Sequence, residues 1–190
     1  MSVRALTLAA LILLGGCAAT IPPVQVTRFH IDHPIAPGMF AITNPGASLE
    51  TGTYEAAVTR ALGTLGFTPS TAAKPPYRVT VDVQRDTRDA TVRHSPVTIG
   101  IGGGSFGGGV GIGVGTSFGV GKPKANTTVI TRLSVRIVES TGGAAVWEGR
   151  AETQSPSSAP AAQPGLAAEK LATALFKDFP GESGRTITVP

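Results

Sequence analysis

Tyr77-Arg78-Val79-Thr80-Val81-Asp82-Val83-Gln84 decides the fold class of this chain. Its apolar and polar residues alternate strictly. A strand sends successive side chains to opposite faces, so this pattern is a strand with one buried and one wet face. Two further stretches repeat it. Over 129–139, Leu133, Val135 and Ile137 alternate with Arg132, Ser134 and Arg136. Over 145–152, Ala145, Trp147, Gly149 and Ala151 alternate with Glu148, Arg150 and Glu152. Thr141-Gly142-Gly143 lies between them and supplies a turn, which predicts an antiparallel hairpin with Trp147 toward the core. Such a sheet needs cover on one face only.

Two helices are expected to supply that cover. Tyr54, Val58, Ala61, Leu62 and Leu65 fall on one helical face within 52–65, with Ser48 as an N-cap candidate and Gly66 as a C-terminal stop. Ala167, Leu171, Ala174, Leu175 and Asp178 form a stripe within 166–178, closed by Phe179 and stopped by Pro180-Gly181. Earlier strands are expected at 24–29 and 39–43, the second ended by Asn44-Pro45-Gly46. Residues 85–95 read as a solvated polar loop, with a binding patch for anionic headgroups as the alternative, and 154–164 as a loop or linker. Residues 185–190 read as a short extended run or a disordered tail. The expected class is α+β: a small, mostly antiparallel sheet with two helices on one face, a two-layer sandwich with a Gly-rich hairpin inserted.

The N-terminal residues address the compartment. Arg4 precedes an uncharged apolar run, Ala5 to Leu14, and the chain's one cysteine follows in Leu14-Gly15-Gly16-Cys17. A basic start, about ten apolar residues and small residues at the cut make a secretory signal, too short for a membrane span of roughly 20 residues. Leu-Gly-Gly-Cys resembles the bacterial lipobox. That resemblance implies cleavage before Cys17, a diacylglyceryl thioether on its sulfur and an acyl group on its amine. The bland alternative is cleavage near Ala19, leaving a soluble secreted protein. Ala18, rather than Asp, follows Cys17, which resembles the outer-membrane sorting rule. The expected division is a signal peptide over 1–16, a lipidated tether over 17–23 ending in Pro22-Pro23, and one domain over 24–190. With Cys17 lipidated no disulfide is available, so the fold rests on its apolar core. The formal charge of +4 is too small to imply nucleic acid.

The insert, about 99–121, is the strangest stretch. Gly100 to Gly121 holds 12 glycines in 22 residues, and Ser105-Phe106-Gly107 recurs as Ser117-Phe118-Gly119. Val110, Ile112 and Val114 alternate with glycines. In extended form such a segment is branched on one face and bare on the other. A bare face admits close backbone approach, and weakly specified strands pair promiscuously. Phe106, Val110, Ile112, Val114 and Phe118 are therefore the candidate interaction residues, for self-association or an envelope protein partner. A passive, partly ordered hairpin and direct membrane contact are the alternatives.

Catalytic patterns fail on context. Gly-x-Ser-x-Gly occurs at 103–107 and 115–119, but no helical pattern follows and no histidine comes after His94. Gly102-x-Gly104-x-x-Gly107 opens no helix, and Pro123 after Lys122 occupies the place of a P-loop hydroxyl. His30, Asp32 and His33 put at most two ligands on one strand face, where a metal site needs three or four. No catalytic residue, metal ligand or cofactor is assigned.

The order of these pieces resembles a family, the bacterial envelope lipoproteins known as domain of unknown function 4136. The resemblance rests on the lipobox at Cys17, Leu62-Gly63-Thr64-Leu65-Gly66-Phe67, the strand from Tyr77 to Val83, the Gly-rich insert, Ala145-Val146-Trp147-Glu148-Gly149-Arg150-Ala151, and Leu175-Phe176-Lys177-Asp178-Phe179-Pro180. It implies a small α+β sandwich in the Gram-negative envelope with no assigned catalytic residues. The expected function is a lipid-anchored, non-enzymatic envelope protein with a structural, assembly or interaction role. The expected place is the outer membrane, facing the periplasm. The alternative is an envelope-polymer hydrolase or a metal-dependent enzyme.

Overall fold

The computed structural model describes residues 22–43, 48–89 and 127–190. The signal, Cys17, the turn at Asn44-Pro45-Gly46 and the Gly-rich insert lie outside the described residues. The chain orders as β1 (Val24–His30), β2 (Met39–Ile42), α1 (Leu49–Thr64), β3 (Thr68–Pro69), β4 (Tyr77–Asp89), β5 (Thr127–Glu139), β6 (Ala145–Pro156), a 3-10 turn (Pro160–Ala162), α2 (Pro164–Phe176) and β7 (Thr186–Val189). The fold is α+β. Seven strands form one open sheet in the order β3-β2-β4-β5-β6-β1-β7. The pairs β4–β5, β5–β6, β6–β1 and β1–β7 are antiparallel, and β2 runs parallel to both β3 and β4.

The alternation at 77–84 does what its period dictates. Val79 and Val81 are buried while Arg78, Thr80, Asp82 and Gln84 are exposed. Cα pairing carries the phase across the sheet: Val81 faces Val135, Val135 faces Gly149, and Gly149 faces Arg28. The inward residues of β1, β4, β5 and β6 join Tyr54, Val58 and Leu62 of α1 and Leu171, Leu175 and Phe176 of α2 in one core cluster. Gly142 and Gly143 turn the β5–β6 hairpin at positive φ, where glycine carries no Cβ penalty. A bulge between Ile137 and Val138 then sets Val138 opposite Ala145 and Ile137 opposite Trp147. The extra residue, Val146, is buried like its neighbour Trp147.

Helix α1 starts three residues before the expected 52, because the Ser48 side chain accepts from Thr51 N at 3.1 Å. Gly66 ends it at positive φ as expected. Helix α2 begins at Pro164, a residue suited to the first turn, and ends at Phe176, two residues before the expected 178. Asp178, at φ 54, has left helical geometry.

Two expectations need correction, and the tail takes the extended one of its two readings. Residues 85–89 are not loop: β4 runs to Asp89, which is the Cα partner of Thr127. Its polar side chains disguised a strand whose outer half is wet on both faces. Residues 154–156 continue β6, and a 3-10 turn follows, so only part of 154–164 is loop. The tail is ordered: Val24 to Thr27 pair with Thr186 to Val189. The two-residue strand β3 was invisible in the sequence, since it carries no periodic signal.

Candidate functional site

Two regions of the described structure collect polar chemistry. The first is the sheet face away from the core. Cross-strand pairing arranges it in rows. Thr80, Arg136, Glu148 and Phe29 form one row, and Asp82, Ser134, Arg150 and Thr27 the next. These eight residues line a shallow groove of about 460 Å³. Arg136 Nε bridges to Glu148 Oε1 at 3.0 Å. Arg132, one row further, bridges both Asp86 and Glu152 at 2.7 Å. Opposite charges on neighbouring strands stabilise a wet sheet face, each exposed pair only slightly. Phe29 is 55% exposed among them. The face can bind by charge and hydrogen bonds beside one apolar ring. Among the described residues it holds no histidine to act as a base for Ser134.

The second region lies on the core side, where the sheet changes character. Arg85, Thr131 and Thr153 are Cα neighbours across β4, β5 and β6. Arg85 turns inward. Its Nη1 donates to Glu50 Oε1 at 2.8 Å and its Nη2 to the Ala162 carbonyl at 2.7 Å. It thereby ties the start of α1 and the 3-10 turn to the sheet. Tyr54 is fully buried close by. Its hydroxyl makes no hydrogen bond of ordinary geometry, although Thr131 is near enough to act on its ionisation. Burial pushes the phenol above its usual range, opposed by the Arg85 charge.

Arg28 is a second inward cation. It is 3% exposed. Its Nε donates to the Leu175 carbonyl and its Nη2 to the Ala174 carbonyl, both at 2.9 Å. The last carbonyls of a helix have no partner within it, and its C-terminal end favours positive charge. Arg28 therefore works as a cap for α2. Burial lowers its affinity for the proton, and Asp178 opposes that shift.

The residues named from the sequence fare unevenly. Cys17, Phe106, Val110, Ile112, Val114 and Phe118 lie outside the described residues. His30, Asp32 and His33 do not converge. The His30 ring sits against two backbone carbonyls, Nδ1 at 2.8 Å from Ile31 O and Nε2 at 3.1 Å from Gly181 O. Asp32 and His33 are exposed. Among the described residues no three His, Cys, Asp or Glu side chains are placed to hold a metal ion. None of the described helices is long and apolar enough to cross a membrane. Sequence reading missed Arg28 and Arg85. The one available signal was phase: each shares parity with inward apolar neighbours, Val24 and Val26 for Arg28 and Val81 and Val83 for Arg85.

The pieces also share a place. Val24 pairs with Thr153 and Val189, and Ser157 N donates to Thr127 O at 2.8 Å. The start of β1, the ends of β6 and β7, and the Asp89–Thr127 end of the β4–β5 hairpin therefore gather at one end of the sheet.

A family model described as Domain of unknown function (DUF4136) matches residues 25–181. An uncharacterized protein of Zymomonas mobilis is 43% identical over 63 residues. The match covers 33% of this chain and 22% of that protein, so the chain spans about a fifth of the relative's length. Two solved structures are similar in shape. The PelC dodecamer from Paraburkholderia phytofirmans has a TM-score of 0.47 at 11% identity, covering 80% of this chain and 94% of that one. A PDZ domain protein from Parabacteroides distasonis has a TM-score of 0.48 at 10% identity, covering 97% and 42%.

Proposed function

The chain belongs to the family described as domain of unknown function 4136, and from that premise we propose a lipid-anchored envelope protein that acts by interaction rather than catalysis. In this reading Cys17 carries the lipid and the outer membrane holds it facing the periplasm. The domain is a two-layer sandwich whose Gly-rich hairpin, an insertion between β4 and β5, meets a second copy or an envelope protein. The anchor rests on Leu14-Gly15-Gly16-Cys17.

One observation carries the interaction reading. Asp89 and Thr127 are register partners at the end of the two longest strands. The chain thus leaves the described sheet at Asp89 and returns to it at the paired Thr127. The non-enzymatic reading rests on the sequence, where no catalytic pattern keeps the context its chemistry needs.

The test combines fractionation with crosslinking in intact envelopes. Wild-type protein is expected in the membrane fraction and in crosslinked species. Cys17→Ser is expected in the soluble fraction. A Cys17→Ser protein that stays with the membrane would overturn the anchor. Wild-type protein that crosslinks to nothing would overturn the interaction role.

A further inference from the structure

An apolar groove of about 460 Å³ runs along the outer side of α2. Pro160, Leu166, Thr173, Val189 and Pro190 contribute walls, and Lys170 stands among them. Leu166 is 53% exposed. Exposed apolar surface that no described element covers marks a contact site.

The chain itself indicates what meets this surface. The Lys170 ammonium donates a hydrogen bond to the Pro22 carbonyl. The chain therefore enters the domain at the groove's own edge. Cys17 is five residues before Pro22, and five residues span at most about 18 Å even when fully extended. A lipid on Cys17 would hold the groove within that reach of the bilayer interface. A tether that short also makes a weak surface contact effectively intramolecular, so little intrinsic affinity is needed. The row containing Thr80 and Phe29 lies toward the other end of the strands.

We infer that the α2–β7 groove rests on the lipid surface, with the exposed Leu166 and Pro190 at the acyl boundary and Lys170 toward anionic headgroups. The acyl chains on Cys17 would already anchor the protein stably, so the groove contact sets the domain's orientation rather than its residence on the membrane. The inference deepens the lipid-anchor reading and rests on it. It fixes the domain end-on to the membrane and turns the charged sheet face sideways, free for a partner.

The test uses the full lipidated chain in vesicles of phosphatidylethanolamine and phosphatidylglycerol. The sequence has one cysteine, taken up by the thioether, so Thr173→Cys supplies a single free thiol for an environment-sensitive fluorophore. Thr80→Cys is the distant control. The Thr173 label is expected to shift to the blue and to lose emission to lipids carrying a nitroxide quencher, while the Thr80 label does neither. Adding Leu166→Glu should abolish the Thr173 shift while the protein still floats with the vesicles. Trp147 emission checks that this variant is folded, and the comparison of the two labels stands without it. A Thr173 label that stays water-like on a floating protein overturns the docking and leaves the anchor intact. A protein that does not float with the vesicles refutes the anchor, and the docking with it.

Discussion

Arg28 occupies the space that a side chain at Gly181 would need: a Cβ there would lie 2.5 Å from Arg28 Nη1. Gly181 also sits at φ +87, a conformation that L side chains rarely adopt. Gly181→Ala is therefore expected to destabilise the domain by about 1–3 kcal/mol, the range for a strained backbone position. Urea unfolding of the two proteins measures it, and an unchanged midpoint would show that Arg28 yields at no cost.

The same guanidinium caps α2, which makes its removal costly for a different reason. Arg28→Met keeps much of the stem but strips the Ala174 and Leu175 carbonyls of their side-chain donors. A buried polar group left unsatisfied costs about 1–3 kcal/mol. The expected loss is about 3 kcal/mol for the pair, with amide exchange faster in the last turn of α2 than in its first. Uniform exchange along the helix would argue against a capping role.

Trp147 holds the core between β6 and the end of α2. It is 1% exposed, stacks on Phe176 with ring centroids 5.1 Å apart, and donates from Nε1 to the Pro180 carbonyl at 3.0 Å. Trp147→Ala should cost about 3–5 kcal/mol. A Cβ at Gly149 would meet Trp147 Cη2 at 2.3 Å, so Gly149→Ala should also destabilise by displacing the indole. The native protein should emit in the blue, since the indole is shielded from water. Emission typical of a solvated tryptophan would contradict the packing.

Tyr54 predicts a pH dependence. Burial raises its phenol above the ordinary 10.0, with Arg85 opposing. The folded state therefore keeps the proton after the unfolded chain has begun to lose it. This contribution is complete below pH 10.0 and is lost as pH rises through the folded value. Tyr54→Phe deletes a buried hydroxyl that lacks an ordinary hydrogen bond, so neutral-pH stability should hold within about 1 kcal/mol. Above pH 10.0 the variant should lose stability less steeply than wild type. Equal slopes in urea midpoint against pH would refute the assignment.

The pairing of Asp89 with Thr127 predicts that the insert is dispensable for folding. Deleting Gly102 to Gly119 leaves both strand ends and ample chain to join them. The shortened protein should unfold at about the wild-type urea concentration yet fail to form the crosslinked species seen in envelopes. Unfolding would make the segment part of the core. Retained crosslinking would make it a passive loop.

Much of the fold was legible locally. The period-two pattern of Val79, Val81, Leu133, Val135 and Ile137 and the helical stripes of Tyr54, Val58 and Leu62 and of Leu171, Ala174 and Leu175 each fix a buried face within one element. Burial is mainly a property of apolar side chains, so such a pattern survives without knowledge of neighbours. The inward side of Trp147 followed from the same phase, while its stacking on Phe176 did not. Cys17 and the Gly-rich residues were legible as candidates by motif and composition alone.

What the tertiary structure decided concerns polar groups and edges. An arginine turns inward only where a distant segment offers acceptors: α2 carbonyls for Arg28, Glu50 and Ala162 for Arg85. Those partners lie 35 or more residues away in sequence, so no local window contains the reason. Likewise β7 is a strand because Val24 to Thr27 leave an edge for it, and β3 because β2 does. Backbone pairing satisfies N–H and C=O groups that nearly all residues carry, proline lacking only the N–H, and it therefore leaves little mark on the side chains of the strand that completes it.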